Sequence, residues 1–488
     1  MSQPTHSQPT TAPTGNRTNR NLFWSGASFA LTAILNFGTL YILTQLLTPA
    51  AMAMVFISVI FQDLALLFVD NGMGSYIVQS DNLSQRDYAS LFYQVLLFSS
   101  LLTLSLTGIA PWIATFFKSP PLASALSITA FSFIAIALSF PQKGLLQRNM
   151  HFKRIAMAEF MGMMLAAITT VFLAYHGFGF SSYLYGFLAR RICEACILWQ
   201  KDPWFPKPVW LWEPLKKLFG YSAFASSAFL LSYAVRLVDT SVVGRVLGVQ
   251  VLGLYSLASN FIFVPVNKCV FTFSRVFIVD FSLAKHQIDD LRHAYADAMG
   301  KLYLLLLPGL TAIAILIPDI MRIFFKPTWL PVADLVRIMA FYGLLIAFLR
   351  MGEAILLALA HVCAVFIIYT TTILLTALLL LGGIHYGAAG AAWAVTLGAV
   401  PAIWMMYSAL RNLQAFDWPL LLSRCQPGIT AALLLAISTG LLQWILTPLI
   451  GRLAMLSIVA LVDGLLFWIV FRYVKKRQHH NQQPIEAI

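Results

Sequence analysis

The sequence predicts an all-α integral membrane protein that crosses the bilayer about fourteen times, and three observations predict it. Hydrophobic residues fill 59% of the 488 positions and charged residues only 10%. Apolar runs of about twenty residues, enough to span a ~30 Å hydrocarbon core at ~1.5 Å per residue, recur from end to end. The polar breaks between them carry Lys and Arg on alternate sides, as multi-span helical proteins do. An outer-membrane barrel would show short alternating segments instead.

Taken in order, residues 1–20 are rich in Ser, Thr, Pro and Gln and are expected to be a disordered cytoplasmic tail. The first apolar run, Leu22–Leu47, exceeds a signal h-region and has no convincing cleavage site, so it is expected to stay as an anchor. Spans near 51–69, 89–116, 122–140, 155–175 and 178–200 complete an N-terminal lobe of six helices over 21–200. A cytoplasmic linker over 201–217 holds Pro203, Pro206, Pro208 and Pro214 among four lysines.

The second lobe, 218–410, takes spans near 220–243, 252–273, 300–318, 333–357, 362–382 and 387–409, with no clear polar break between 331 and 382. Two further spans, near 427–448 and 453–471, form a C-terminal appendage over 426–471, and 472–488 is a second cytoplasmic tail.

With both termini inside, inner segments hold 22 of the 32 basic residues; outer segments hold five, namely Lys118, Arg245, Arg322, Lys326 and Arg452. That bias sets the topology and accounts for the net charge of +13 without a nucleic-acid partner. The inner segment Arg275–Lys301, with Asp289, Asp290, Arg292 and Asp297, has the pattern of a solvated amphipathic helix. Thr44–Val55 precedes Gly244–Tyr255 by 200 residues, and both are turns between the first two spans of a six-span half. Six is even, so the halves enter from the same side, a transporter arrangement.

Five arginines fall within spans: Arg190, Arg191, Arg236, Arg337 and Arg350. A charge at the bilayer centre costs roughly 2.5–3.5 kcal/mol on insertion scales, so each should face protein or a water-filled interior. Glu194, Asp239, Asp334 and Glu353 lie three or four residues from them, on the same helical faces. Local ion pairs that make insertion tolerable are one account of this. A cationic cavity for an anion, extended by Arg245 and Lys268, is the other, because guanidinium groups take phosphate oxygens in a forked geometry. Asp63, Asp239 and Glu159 are candidate carboxylates for coupling to an ion gradient; Asp63, Glu159 and Asp463 lack an obvious neighbouring base, and pairing with a distant arginine is the alternative.

No phosphate-binding glycine loop and no catalytic triad stand in the chain, so neither ATP hydrolysis nor another enzymatic role is expected. The cysteines, Cys193-Glu-Ala-Cys196 included, read as apolar filler, and the nine histidines make no metal spacing. No cofactor is expected.

Several short stretches resemble one family. They are Gly244-Arg-Val-Leu-Gly248 with Gly253-Leu-Tyr255, Pro265-Val-Asn-Lys268, Ser274-Arg-Val-Phe277, Phe324–Trp329, Leu345 and Arg350. In the first half, Asp70–Ser75, Ile77–Gln79, Gln147-Arg148 and Phe152-Lys153 extend the match. The chain is similar over its whole length to the bacterial polysaccharide exporters and lipid-linked oligosaccharide flippases of the multidrug/oligosaccharidyl-lipid/polysaccharide superfamily. Arg191, Arg245, Lys268, Arg275 and Arg350 match basic positions of that pattern; Arg236 and the turn Thr48–Met54 do not.

The resemblance implies two lobes that open alternately to each side of the bacterial inner membrane. It implies as partner an undecaprenyl-diphosphate-linked oligosaccharide for surface polysaccharide, membrane lipids around it, and a polymerase machinery downstream. A cation-coupled multidrug antiporter of the same superfamily is the alternative, and would be expected to have an acidic cavity. A polymerase or ligase would carry a large outer loop, which the spacing here does not provide.

Overall fold

The computed structural model describes residues 35–66, 84–148, 151–200, 206, 209–211, 231, 233–284, 287–359, 361–446 and 451–481. Every regular element among them is helical. In chain order they are α1 (35–46), α2 (Pro49–Leu66), α3 (Gln85–Phe116), α4 (Pro121–Arg148), α5 (Phe152–Tyr175), α6 (Ser181–Trp199) and α7 (233–246). Then follow α8 (Val249–Ala284), α9 (Ile288–Phe324), α10 (Val332–Ala358), α11 (Val362–Gly383), α12 (Gly387–Asn412), α13 (Trp418–Leu446) and α14 (Arg452–Asn481). The first tail, the Asp70–Gln79 stretch, most of the 201–217 linker and the start of the span expected near 220–243 lie outside the described residues.

Ten segments among the described residues are long and apolar enough to cross a membrane, one of them, Val362–Asn412, holding both α11 and α12. This is a multi-pass membrane protein. Among the described residues α1 and α7, each covering only part of its expected span, are not among the ten, and neither is α6. Its 19 residues include Arg190, Arg191 and Glu194, which lower its hydropathy.

One boundary agrees with the spans read from the sequence and one differs. The unbroken stretch 331–382 divides after Ala358, where the helix ends with Leu359 N donating to Ile355 O at 3.0 Å and His361 N to Leu356 O at 2.8 Å. Conversely, the expected inner loop Arg275–Lys301 is largely helix. α8 runs 36 residues and α9 runs 37, about 55 Å each and far beyond the ~30 Å hydrocarbon core. The amphipathic pattern is there, with Leu291, Tyr295 and Met299 buried on one face and Asp289 and Asp290 exposed on the other, but it continues α9 instead of forming a separate helix.

The chain divides into two compact units. The first comprises Met1–Leu46, Phe61–Pro111 and Pro121–Ala223; the second comprises Leu47–Ile60, Trp112–Pro120 and Phe224–Ile488. In the first unit, Leu91, Val95, Ile136, Ala137 and Phe140 bring α3 and α4 together, and Leu146, Ile155, Ala158 and Leu198 join α4, α5 and α6. Residues 206 and 209–211 lie along α3, where Tyr93 Oη donates to Pro206 O at 3.0 Å and Gln94 Nε2 to Leu211 O at 2.6 Å. In the second unit α13 lies against α9, and α14 is tied to α13 through Asp463, which accepts from Ser438 Oγ at 2.8 Å and Thr439 Oγ1 at 2.7 Å. Apolar side chains of these last helices, Leu433, Leu441, Trp444, Leu461 and Leu465 among them, are exposed, as suits a lipid-facing surface.

Candidate functional site

Buried charge is concentrated in two places, one in each unit. In the first, the i, i+3 and i, i+4 spacings of α6 put Arg191 and Arg190 one turn before Glu194. Arg190 Nε meets Glu194 Oε1 at 2.7 Å and Arg191 Nη1 meets Oε2 at 2.8 Å, so one carboxylate serves two guanidinium groups. The Arg191 guanidinium also stacks over Phe187, 4.8 Å from the ring centre.

Residue 162 on α5 must be small for this to form. A Cβ on Gly162 would stand 2.8 Å from Glu194 Cγ and 3.1 Å from the Arg190 carbonyl. Glycine at this contact lets α5 and α6 approach closely, the usual device of helix pairs in membranes. Arg191 and Glu194 then line a recess of about 30 Å³ with Lys143 of α4 and Glu159 of α5, themselves paired at 3.2 Å. Two bases and two acids line it, and Arg190 adds a third base on the far side of Glu194.

The second cluster is built from two helix hairpins. Asp239 on α7 is 4% exposed and accepts from Tyr255 Oη on α8 at 3.0 Å and from Thr240 Oγ1 at 3.1 Å. Glu353 on α10, also 4% exposed, accepts from Arg350 Nη1 at 3.0 Å and from Tyr369 Oη on α11 at 2.6 Å. In both hairpins the tyrosine lies 16 residues after its carboxylate. A cavity of about 90 Å³, room for several waters, is lined by Arg236, Asp239, Arg350, Tyr369, Tyr342, Asn267 and Thr372. Here two bases face two acids, with tyrosine hydroxyls around them.

The sequence grouped seven basic residues, and the structure brings them together only in part. Arg190 and Arg191 share Glu194, with Arg191 alone lining the first recess, and Arg236 and Arg350 share the second. Arg337 lies in the second turn of α10 with its side chain 51% exposed, 3.8 Å from Asp334 and donating to Ala314 O at 3.2 Å. Arg245 is exposed at the end of α7, where it caps α3: its Nη1 donates to Phe116 O at 2.6 Å and its guanidinium sits over the Phe116 ring. Lys268 is exposed on α8, and Asp63 is half-buried on α2. The Arg275 side chain lies outside the described residues.

Sequence reasoning had no place for Tyr255 and Tyr369. They lie on the next helix from the carboxylate they serve, out of reach of any i, i+4 argument. The signal was available as a repeated distance, Asp239 to Tyr255 and Glu353 to Tyr369, across two tight hairpins.

Chemically, neither site holds a nucleophile poised beside a base or a group of metal ligands among the described residues. Both present guanidinium and hydroxyl donors in water-sized recesses inside helices, which is what a site for an oxygen-rich anion needs.

Comparison with known proteins identifies the family. The model of a family described as polysaccharide biosynthesis protein matches residues 42–334. The chain belongs to that family. Its relatives include the teichuronic acid biosynthesis protein TuaB of Bacillus subtilis, 22% identical over 296 residues, or 60% of this chain and 61% of TuaB. The amylovoran biosynthesis protein AmsL of Erwinia amylovora is 27% identical over 284 residues, 56% of this chain and 71% of AmsL. The chain thus spans somewhat less than two thirds of TuaB. Among solved structures, the lipid II flippase MurJ in an inward closed conformation superposes with a TM-score of 0.72 at 18% identity, covering 94% of this chain and 99% of MurJ. The family member therefore has the fold of a membrane flippase.

Proposed function

We propose that this protein is a flippase that carries an undecaprenyl-diphosphate-linked oligosaccharide repeat unit across the bacterial inner membrane by alternating access. Two six-helix lobes with both termini in the cytoplasm would deliver it to a polysaccharide polymerase on the far side. The observation that carries this reading is the first cluster, where two half-buried guanidinium groups share one buried carboxylate and leave a positive charge in excess. A diphosphate leaving water needs such a partner, because an unpaired buried charge costs on the order of several kcal/mol. The membership of a polysaccharide family and the relatives' roles in teichuronic acid and amylovoran synthesis support the substrate class.

Of the carboxylates read as coupling groups, Asp239 is favoured over Glu159. Asp239 is buried beside Arg236 in the cavity wall, whereas Glu159 is a half-exposed partner of Lys143. The experiment is deletion of the gene. One surface polysaccharide should disappear while its lipid-linked repeat unit builds up on the cytoplasmic face. Normal polysaccharide with new sensitivity to cationic drugs would favour the antiporter.

A further inference from the structure

The two clusters look alike in sequence, since Arg191-Ile-Cys-Glu194 and Arg350-Met-Gly-Glu353 share one spacing, but their carboxylates are held differently. Glu194 gives one oxygen to each of two guanidiniums, so both oxygens are satisfied by a full positive charge. Glu353 takes both of its donors, Arg350 and Tyr369, on the single oxygen Oε2. Its other oxygen, Oε1, is buried without a hydrogen-bond partner. A buried carboxylate oxygen left bare is costly, and proteins keep few of them without a use.

Arg350 is as unevenly occupied. Glu353 engages one of its N–H groups, and the guanidinium lies over the face of Tyr369, 5.6 Å from the ring centre, in the wall of the water-sized cavity. An arginine fork has five N–H donors and suits two oxygens at once. One contact to one oxygen leaves that capacity open on the cavity side.

We infer that Glu353 is a resident counter-anion, holding Arg350 in the empty carrier and giving it up to a phosphate of the substrate, with Tyr369 keeping the displaced carboxylate in place. The inference rests on the anion-carrier reading above and adds to it a residue that sets release. The bare Oε1 makes the Glu353 contact the weaker of the two carboxylate clamps, so exchange is easier at Arg350 than at the doubly clamped Glu194. Tyr369 can serve both states. Its hydroxyl donates to Oε2 whether or not Arg350 does, so Glu353 is never without a donor when the arginine turns to the ligand. A carrier needs this symmetry: an anion that binds by displacing an internal one is expelled when the internal one returns.

The test uses the full-length protein purified in detergent, with inorganic pyrophosphate as the probe and binding followed by titration calorimetry. Glu353→Gln keeps the shape and removes the competing charge, so pyrophosphate should bind at least tenfold tighter than to the parent. Tyr369→Phe removes the hydroxyl that holds the displaced carboxylate, leaving Glu353 more dependent on Arg350, so pyrophosphate should bind more weakly. Arg350→Ala should erase the difference between the backgrounds, leaving only what the first cluster binds. A merely structural role for the pair would lower stability in both variants and would not split the affinities in opposite directions. Equal or weaker binding by a Glu353→Gln protein that elutes as the parent does overturns the inference, and so does a Tyr369→Phe protein that binds as Glu353→Gln does. Normal polysaccharide export by Arg350→Ala and Arg191→Ala cells would instead overturn the anion-carrier reading itself.

Discussion

The first turns of α8 offer a direct test of what holds the starts of α2 and α8 together. Gly253 lies against the first residue of α2. A Cβ there would stand 2.6 Å from the Pro49 carbonyl carbon, and closer still to its oxygen. Backbone cannot rotate aside as a side-chain tip can. Gly253→Ala therefore has to part the N-terminal ends of α2 and α8 by about 1 Å before the methyl group reaches ordinary contact. Overpacking of this kind costs roughly 1–3 kcal/mol, a factor of about 5–150 in the equilibrium between closed and parted ends.

The same contact buries Met52 and Leu252, both 0% exposed, and Arg245 caps α3 beside it. The assay is the labelling rate of Met52→Cys by a membrane-permeant maleimide in a cysteine-free background. Gly253→Ala should speed labelling at least about fivefold. Gly108→Ala, where a Cβ meets nothing within 4 Å, should leave the rate unchanged. An unchanged rate in Gly253→Ala protein that accumulates normally would refute the claim that this close approach keeps the end shut.

Other outcomes follow from the clusters and the topology. Arg191→Ala and Arg350→Ala should each abolish polysaccharide export while the protein still accumulates, and Lys at either position should restore it only in part because the ammonium lacks the fork; poor insertion or degradation of both alanine variants would favour ion pairs that serve insertion alone. Single cysteines at Gln287 and Gln414 should be shielded from an impermeant thiol reagent in intact cells while one at Pro327 labels, and the opposite pattern would invert the 22-to-5 topology. Asp463→Ala removes the acceptor of two hydroxyl donors from α13, so detergent-solubilised protein should lose roughly 1–2 kcal/mol of stability at ~0.6 kcal/mol or more per bond. Asp463→Asn, which keeps an acceptor oxygen, should lose less in the same melt.

Hydropathy made the helices legible, because a lipid-spanning segment must be apolar over its length whatever it packs against. It could not show what ends the span near 333–357 before the next begins, since no Gly, Pro or charged cluster interrupts the pattern there and the helix ends through backbone hydrogen bonds alone. Nor could it show that α8 and α9 continue past the apolar core, since a polar amphipathic stretch has the same composition as a loop with a separate helix in it. The ion pairs were legible for the opposite reason. Arg191 to Glu194 and Arg350 to Glu353 are local, and helical geometry alone brings them together. Grouping the arginines with one another was a tertiary question. Arg337 and Arg245 lie near helix ends, where a cation can reach water or cap a carbonyl, and nothing in their own helix distinguishes them from buried Arg350. The tyrosines that complete the second cluster were hidden for the same reason, being close only after a hairpin has closed.

The two accounts offered for the buried arginines, pairing for insertion and binding for transport, describe one arrangement at two stages. A guanidinium that enters the membrane unpaired carries the insertion cost in full, so each needs a carboxylate at helical spacing before any ligand arrives. A guanidinium bound too well by that carboxylate could never bind anything else. On the proposed reading the carboxylates' other partners supply the compromise: Glu194 is shared by two cations, so no exchange leaves it without one, and Glu353 is shared with a neutral hydroxyl that would hold it when its cation departs. In each case the carboxylate keeps a hydrogen-bond donor through the exchange, a second guanidinium at Glu194 and a neutral hydroxyl at Glu353. For an anion that must cross and then leave, this matters more than raw affinity. A cluster of bare arginines would bind a diphosphate tightly and hold it, whereas arginines with resident counter-anions bind it by exchange and let it go by the reverse step.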